Sequence, residues 1–485
     1  MRLDDDLCYH RLEARDVRFD GMFFVAVTST RIYCRPICPA RTPRRDRCRF
    51  FTNAASAEAA GFRPCLRCRP ELAPGNAPVD AVTRVATAAM ARIEAGALNE
   101  GSLDDLATEL ALSGRQLRRA IEREYGVAPV QLAQTQRLLM AKRLLTDTSL
   151  NIADVAFASG FSSVRRFNHL FRTRYRLSPS QLRRTRDAVG GADTDAITLR
   201  LSYRPPLHWE ALAGYLASRG ASGMEAFEGG RYVRMVTFQN RAGWIALEPL
   251  AGMPALRFTV STSLVPVLTP LLAKIRAMLD LDANPVSIDT HLSADSRLRA
   301  LVTRSRGLRV PGAFDGFELA LRAVLGQQIS VKAATLLFRR FASIFGTPMA
   351  VAQHPTLTHG SPDAARIADA SLDRLAALGL PRARALTVQT LARAVADGDL
   401  RLDHRADSER TMAQLCELPG IGDWTAQYIA MRALCDADAF PASDLGVLRA
   451  LGVTRPRDAV AIAEAWRPWR AYAVMHLWRH AATGG

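Results

Sequence analysis

The sequence predicts a multidomain, mainly α-helical protein with α+β parts. Its 485 residues are too many for one ordinary hydrophobic core and suggest about three domains. Hydrophobic residues make up 48% of the chain and charged residues 23%, as in globular proteins. Breaks rich in proline or glycine at 70–78 and 190–195 divide the chain into a cysteine-bearing head, a helical middle and a large C-terminal part.

Charge and cysteine content narrow the class of protein. The start, Met1–Asp6, is acidic and no apolar run follows it, so we expect neither a signal peptide nor a membrane span. Eight cysteines in such a chain favour the reducing cytosol, and we expect a cytoplasmic, nucleoid-associated protein. The net charge of +17 favours nucleic acid as partner, although GC-rich genomes also encode arginine-rich proteins.

Four cysteines of the head form two closely spaced pairs. Cys34 and Cys38 are separated by three residues, and Cys65 and Cys68 by two. Each pair can present two sulfurs to one metal, so the spacing predicts a tetrahedral site for one Zn²⁺ with these four ligands. Zinc with four thiolates is doubly negative, and nearby arginines such as Arg35 are expected to offset that charge and to contact DNA.

Two alternatives stay open for the head. The four cysteines could form a closed, inert zinc ribbon with no chemistry of its own. Cys48, between the two pairs, is a possible competing ligand.

The middle contains an imperfect repeat. Ser102 and Asp105 predict the cap of a short helix, a break at 113–114 follows, and the pattern returns 49 residues later. In each copy a glycine-bearing turn leads into a basic helix of the kind that a major groove admits. The alternative is a solvated charged face on a helical bundle. The candidate DNA-contacting residues of the two basic helices are Arg115, Gln116, Arg118, Arg119, Arg165, Arg166 and Asn168.

Beyond the second break, residues 197–282 predict a small mixed α/β unit, and helical periodicity continues from there to the end. Strands are expected at Ile197–Tyr203, Tyr232–Gln239, Trp244–Pro249 and Ala255–Val260, with helices at Trp209–Ser218 and Val265–Leu279.

A Leu-Pro-Gly-Ile-Gly run at 418–422 stands out among the later helices. It is typical of a helix–hairpin–helix turn, in which Gly420 and Gly422 let backbone N–H groups approach a DNA phosphate. Asp444 follows 22 residues after Gly422. By itself, this aspartate would be interpreted as a loop residue or a helix cap.

Three parts of the chain resemble known families. The head, through its runs at 33–38 (Tyr-Cys-Arg-Pro-Ile-Cys) and 61–68, resembles the Ada-type methylphosphotriester-repair domain. The repeat resembles the AraC/XylS-type double helix-turn-helix domain, and 197–485 resembles the AlkA-type 3-methyladenine glycosylases of the helix–hairpin–helix superfamily. The expected domains are a zinc methyl-acceptor domain at 1–75, a helix-turn-helix domain at 80–186, an α/β subdomain at 196–283 and a glycosylase domain at 284–485. A Pro-Cys-His-Arg run is missing, so the O6-alkylguanine methyltransferase half of longer Ada proteins is not expected.

For the head, the resemblance implies a stoichiometric methyl acceptor. Cys34 would take the methyl group of a phosphotriester, with Zn²⁺ activating the nucleophile and holding the fold, while Cys38, Cys65 and Cys68 stay ligands. Methylation would make the site singly negative, and tighter operator binding would then activate transcription in an adaptive response to alkylation. Double-stranded DNA, both alkylated and operator, is the expected partner, and RNA polymerase is a further candidate.

For the C-terminal part, the resemblance implies base excision repair, with Asp444 as the catalytic carboxylate. An alkylated purine is cationic, so Trp424, Tyr428 and Trp478 are candidates for an aromatic base pocket, although each could be plain core. Because tryptophan replaces the Schiff-base lysine of bifunctional relatives at 424, a monofunctional glycosylase is expected. Where such enzymes push a wedge into the gap left by a flipped base, this chain has Gln327 and Gln328 instead of the usual leucine.

Two other functions remain open. The chain could be a transcription regulator only, with a non-catalytic glycosylase-like module that binds DNA. It could also be a repair enzyme only, with the middle region acting as a nonspecific DNA tether.

Overall fold

The computed structural model describes residues 4–74, 84–184, 195–351, 353–404 and 406–482. Helices dominate and the sheets are small, which confirms the predicted multidomain, mainly α fold with α+β parts. Two compact units divide the chain: the first comprises the described parts of 1–205, 250–274 and 281–284, and the second those of 206–249, 275–280 and 285–485. Within the described ranges, no helix has the length and apolar character needed to span a bilayer.

The head is a four-stranded sheet with two helices. Its elements are α1 (Asp5–Glu13), β1 (Phe24–Val27), β2 (Ile32–Cys34), β3 (Cys48–Phe51), α2 (Ala54–Ala59) and β4 (Arg63–Pro64). The strand order is β3-β1-β2-β4, and only β4 and β2 are parallel among the described strands of this sheet. β2 ends at Cys34, and its parallel neighbour β4 ends just before Cys65. The two cysteine pairs therefore begin at the same end of the sheet.

The middle is helical throughout its described part. Its helices are α3 (Arg84–Glu94), α4 (Ala97–Glu100), α5 (Leu103–Glu109), α6 (Gly114–Tyr125), α7 (Pro129–Asp147), α8 (Ile152–Ala158), α9 (Val164–Tyr175) and α10 (Pro179–Arg184). The predicted repeat consists of α5–α6 and α8–α9, joined by α7. The Ser102–Asp105 capping box at the start of α5 is confirmed. Of the predicted breaks, residues 75–78 and 190–194 lie outside the described residues, while Pro70–Leu72 forms a 3₁₀ helix.

Both copies of the repeat end in the same way. A tyrosine closes α6 and α9, and the next residue is left-handed, Gly126 at φ +71° and Arg176 at φ +59°. A proline-led helix then follows, α7 or α10. Because a left-handed residue ends a helix and proline suits a first helical turn, each copy stops and restarts at the same point.

The region after the second break holds α11 (Trp209–Arg219) and α12 (Leu268–Met278), together with strands β5 (Ala196–Ser202), β6 (Glu225–Glu228), β7 (Arg231–Phe238), β8 (Arg241–Pro249) and β9 (Ala255–Ser261). In the first unit β5 pairs antiparallel with β9, and in the second β7 pairs antiparallel with β6 and β8. The four expected strands and two expected helices are present. The second helix begins three residues later than expected, because Pro266 lies in a 3₁₀ turn at Thr262–Val267.

The rest of the second unit is mainly helical. Its helices are α13 (Pro285–Leu292), α14 (Ser296–Arg304), α15 (Gly316–Leu325), α16 (Val331–Phe345), α17 (Ala364–Ala368), α18 (Leu372–Ala376), α19 (Arg382–Ala396), α20 (Ser408–Glu417), α21 (Asp423–Arg432), α22 (Leu445–Leu451), α23 (Pro456–Ala463) and α24 (Arg470–Ala482). The expectation of helix to the end is wrong at one place, a ribbon of β10 (Gly346–Pro348) and β11 (His359–Pro362). Glycine and proline in both strands disfavour helix there.

Candidate functional site

The four predicted zinc ligands meet in one buried cluster of the head. Their Sγ atoms all lie within 4.8 Å of one another, and each residue is 6–8% exposed. Tetrahedral zinc with Zn–S bonds of about 2.3 Å separates its sulfurs by about 3.8 Å, so the cluster fits one Zn²⁺. No other group of three or more metal-ligating side chains occurs within the ranges that the structure describes.

Cys48 lies outside this cluster. Its Sγ donates a hydrogen bond to the carbonyl oxygen of Arg44 at 3.3 Å. The expectation of a competing ligand is therefore wrong, because four sulfurs already complete a tetrahedral shell without it.

Backbone N–H groups donate to two of the four sulfurs. Arg35 N–H donates to Cys68 Sγ at 3.3 Å, and Arg67 N–H donates to Cys65 Sγ at 3.4 Å. In the described part of the chain, no backbone N–H donates to Cys34 Sγ. Because N–H donors withdraw electron density from a thiolate, we expect Cys65 and Cys68 to be weaker nucleophiles than Cys34.

Arg35 has a different position from the one expected. Its Nε donates to Asp20 Oδ1 at 2.8 Å, its Nη2 to Asp20 Oδ2, and its Nη1 to the Cys68 carbonyl oxygen at 3.2 Å. The residue is 8% exposed. Arg35 thus supports the metal loop from inside, where metal loop means the cysteine-bearing segments 34–38 and 65–68. A buried ion pair takes the place of the predicted DNA contact.

A buried polar network joins the metal loop to α7. Lys142 of α7 contacts both Glu71 and the carbonyl oxygen of Cys65. Arg69, directly after Cys68, donates to Glu71 at 2.9 Å and to Asp147 of α7 at 2.6 Å. The helix between the two helix-turn-helix copies therefore rests directly on the cysteine cluster.

Glu58 of α2 forms a second link between head and middle. Its Oε1 accepts from Tyr33 Oη at 3.1 Å and its Oε2 from Thr135 Oγ1 of α7 at 3.0 Å. Burial raises the pKa of the Glu58 carboxyl to about 7. Since Tyr33 precedes Cys34, this link also begins beside the cluster.

The basic helices α6 and α9 expose their predicted polar residues. Arg115, Gln116, Arg118, Arg119, Arg165 and Arg166 are exposed, and Asn168 is half-buried. Gln116 also accepts from the Ser113 backbone at 2.9 Å, so its amide oxygen caps α6. The opposite face of each helix is buried through Leu117 and Phe167.

The predicted hairpin lies between α20 and α21. Gly420 has φ +83°, and a Cβ there would lie 2.2 Å from Thr387 Oγ1, so only glycine fits without a shift. Gly422 precedes α21 as its N-cap and is exposed with open space around it. This leaves the turn free for close approach by a phosphate.

Asp444 follows on the loop before α22, held by two indoles. Trp424 Nε1 donates to its Oδ2 at 3.0 Å, and Trp478 Nε1 donates to its Oδ1 at 2.8 Å. The backbone N–H of Val447 also donates to Oδ1, at 3.0 Å. Asp444 is thus a helix cap, as the alternative interpretation supposed, and its half-exposed carboxylate is also fixed between two aromatic rings.

Tyr428 completes an aromatic wall around this carboxylate. Its ring is stacked on Trp424 with centroids 5.6 Å apart, and lies 6.1 Å from that of Trp478. Arg432, one turn further along α21, donates to Tyr428 Oη at 2.7 Å. Burial opposes ionisation of Tyr428, but the charges of Arg432 and Arg219 outweigh it and lower the pKa of the phenol. Sequence reasoning missed Arg432, although its i+4 spacing from Tyr428 was visible.

The two glutamines after α15 have separate positions. Gln327 Nε2 donates to the carbonyl oxygen of Gly420 at 3.0 Å and to Thr425 Oγ1 at 3.1 Å. Gln328 is exposed and left-handed, at φ +60°. The structure therefore ties Gln327 to the hairpin and leaves Gln328 as the exposed member of the pair.

Four family models match the chain in the order that the motifs suggest. They are the metal binding domain of Ada at 7–71, a helix-turn-helix domain at 106–185, the AlkA N-terminal domain at 198–315, and the HhH-GPD superfamily base excision DNA repair protein at 321–465.

Similar proteins and solved structures match the same regions of the chain. The probable bifunctional transcriptional activator/DNA repair enzyme AlkA of Mycobacterium tuberculosis (strain CDC 1551 / Oshkosh) is 40% identical over 99% of this chain and 97% of its own. DNA-3-methyladenine glycosylase 2 of Escherichia coli (strain K12) is 34% identical over 57% of this chain and 95% of its own. The solved 3-methyladenine DNA-glycosylase from Archaeoglobus fulgidus shares the fold, with a TM-score of 0.50 at 22% identity over 58% of this chain and 98% of that one.

Proposed function

This chain belongs to the family of the bifunctional transcriptional activator/DNA repair enzyme AlkA, and we propose that it responds to DNA alkylation with two separate reactions. The second unit is an AlkA-type DNA glycosylase that releases alkylated purines. The head accepts a methyl group from a backbone phosphotriester, and the helix-turn-helix pairs bind DNA.

The position of the Asp444 carboxylate between two indole N–H groups carries the proposal for base release. Cleavage of the N-glycosidic bond leaves positive charge on the sugar, and a fixed carboxylate stabilises that charge. The leaving purine departs with the bonding electron pair, and water then adds to the sugar. The stacked rings of Trp424 and Tyr428 offer electron-rich faces to a cationic base. With no lysine at 424, no covalent enzyme–sugar intermediate forms, and the sugar stays in the DNA backbone as an abasic site.

The lack of a backbone donor on Cys34 supports its role as the methyl acceptor. Zinc, when bound, keeps the cluster thiolates deprotonated at neutral pH. Cys34 Sγ attacks the methyl carbon, the C–O bond breaks, and its electron pair returns to the phosphate oxygen as negative charge. The thioether that forms is not hydrolysed, so each chain reacts once.

The exposed arginines of α6 and α9 suit two successive major grooves of an operator. Methylation removes one negative charge from the head, which weakens repulsion of DNA phosphate and would tighten operator binding. In this way the repaired triester becomes a transcriptional signal, with RNA polymerase as the partner that receives it.

One experiment tests both reactions. Purified protein is incubated with methylated DNA, free bases are followed by chromatography, and the intact protein mass is followed by spectrometry. We expect release of methylated purines and the addition of one methyl group to the protein. Release that persists in Asp444→Asn, or methyl transfer that persists in Cys34→Ser, would refute the corresponding assignment.

A further inference from the structure

Arg432 is a buried cation without a carboxylate partner. It is 4% exposed, and its guanidinium donates to the carbonyl oxygens of Pro311 and Gly312 and to two phenol oxygens. Among the residues that the structure describes, no aspartate or glutamate lies within ion-pair distance of it. Because a buried charge is costly without a counter-charge, a group beside Arg432 that can become negative would stabilise it.

The two phenols beside Arg432 differ in how readily they can become negative. Arg432 Nη1 donates to Tyr215 Oη at 2.9 Å and to Tyr428 Oη at 2.7 Å. Burial raises the pKa of the Tyr215 phenol to about 12, and Arg432 offsets only part of that rise. Burial also opposes ionisation of Tyr428, but there the neighbouring cations prevail and the pKa is lowered. Tyr215 therefore keeps its proton, and Tyr428 is the phenol that can lose one.

Positive charge dominates the surroundings of Tyr428. The charged and titratable groups that act most strongly on its phenol are Arg432, Arg219, Tyr215 and Arg322. Arg322 already has a partner in Glu318, at 3.0 Å. The Asp444 carboxylate is bound by Trp424, whose ring stacks on Tyr428. A cationic base that enters beside these rings is therefore attracted by Asp444 but repelled by Arg432, unless Arg432 has an anion of its own.

We propose that Tyr428 selects the base by its charge: when a cationic purine enters, the phenol gives its proton to solvent and its phenolate becomes the counter-anion of Arg432. The O–H bond breaks, and its electron pair stays on Oη. One positive charge enters with the base and one leaves with the proton, so the net charge of the site does not change. An uncharged purine drives no such exchange. This inference rests on the proposed release of alkylated purines, and it names the property by which the site distinguishes them.

Isothermal titration calorimetry of the full chain tests the exchange, because the heat of binding varies with the ionisation enthalpy of the buffer whenever a proton is released. The probes are 3,9-dimethyladeninium, a fixed cation, and 2,9-dimethyladenine, an uncharged base of the same size. We expect the cation to release about one proton and the uncharged base to release none. Affinity for the cation should rise with pH, by up to about tenfold per pH unit, while affinity for the uncharged base stays constant.

Tyr428→Phe and Tyr215→Phe form a matched pair of variants. Each removes a hydroxyl that accepts from the same guanidinium nitrogen. Tyr428→Phe should abolish proton release and reduce the preference for the cation by about tenfold. Tyr215→Phe should release the proton as the parent does. Proton release that persists in Tyr428→Phe would assign the proton to another group and overturn the inference.

A second measurement needs no base. Carbon NMR of tyrosine labelled at Cζ follows the ionisation of each phenol in the empty protein, and the two phenylalanine variants assign the signals. Tyr428 should lose its proton at a lower pH than Tyr215. Arg432→Lys, which keeps a cation, should preserve this order, whereas Arg432→Gln should move the ionisation of Tyr428 to higher pH. A Tyr428 signal that titrates after that of Tyr215 in the parent would contradict the pairing with Arg432.

The outcomes separate this inference from the proposed function, which is decided by base release from methylated DNA. If the parent releases methylated purines but binds the cation without losing a proton, the glycosylase assignment stands and the role of Tyr428 is wrong. If the parent releases no base but the cation still displaces the proton of Tyr428, the charge selection stands and the catalytic assignment falls. Failure of the cation to bind would also refute the charge selection.

Discussion

Lys142 Nζ lies 2.5 Å from Glu71 Oε2, and both side chains are 1% exposed. The same ammonium donates to the carbonyl oxygen of Cys65, at 3.2 Å. One of three lysines in the chain is thus buried at the junction of metal loop and α7. Removing one partner of a buried ion pair is costly, so we expect this pair to couple the stability of the head to that of the middle.

Replacement of this lysine should therefore weaken the first unit as a whole. Lys142→Met leaves Glu71 with fewer partners in a buried site, and we expect a loss of about 3 kcal/mol in the free energy of unfolding. Urea denaturation measures this loss of stability, and hydrogen exchange follows it in α2 and α7. Lys332→Met, on an exposed lysine of α16, is the control. Equal losses in both variants would contradict a specific role for the buried pair.

Methyl transfer should depend on Cys34 and not on the neighbouring thiol outside the cluster. Cys34→Ser should abolish methylation of the protein, since an alcohol at this position is a far weaker nucleophile. Cys48→Ser should react as the parent does, because its Sγ is not a cluster member. Peptide mapping by mass spectrometry after exposure to methylated DNA locates the methyl group. A methyl group found on Cys38, Cys65 or Cys68 would refute the choice of acceptor.

The two indole donors should position the carboxylate that acts in base release. Trp424→Phe keeps an aromatic ring beside Tyr428 but loses the 3.0 Å hydrogen bond to Asp444. We expect kcat to fall about tenfold with KM little changed, and Trp478→Phe to do the same. Asp444→Asn should lower kcat at least about 100-fold. A rise in KM alone in the phenylalanine variants would show that the rings act only in binding.

Stability of the first unit should depend on pH through Glu58. Its pKa is about 7 in the folded chain against 4.5 as the ordinary value, so the folded state holds an extra proton between these values. The free energy of unfolding should therefore fall as pH rises from 4.5 through 7, by about 3 kcal/mol in all. Glu58→Gln, which cannot ionise, should flatten this dependence in urea denaturation. Glu122→Gln, an exposed change on α6, should retain it.

The sequence predicted best those features that a few neighbouring residues specify. Cysteine spacing predicted that four sulfurs lie together, because each pair is specified by a few neighbouring residues. Asp444 was selected by the family resemblance, since the local sequence alone indicated only a loop residue or a helix cap. Residues whose partners lie far along the chain were not predictable in this way. Asp20 pairs with Arg35, which is 15 positions away in the sequence, and Glu71 pairs with Lys142, which is 71 positions away. A count of charges could not show that either cation is buried.

The residues of the turn after α15 could be predicted only in part, for a similar reason. Gln327 could be expected near the flipped base only by position, and its contacts with Gly420 and Thr425 arise from tertiary packing of α15 on α21. The polar character of Gln328 was visible in the sequence, but its left-handed backbone and the exposure of Ile329 were not.

Attachment of both Trp424 and Trp478 to one carboxylate has a practical consequence. Of six tryptophans in the chain, these two line the aromatic wall. Indole emission responds to nearby charge and polarity, so a cationic purine that enters beside Asp444 should quench it. The molecule thereby contains an intrinsic optical signal for occupancy, which requires no label on protein or substrate.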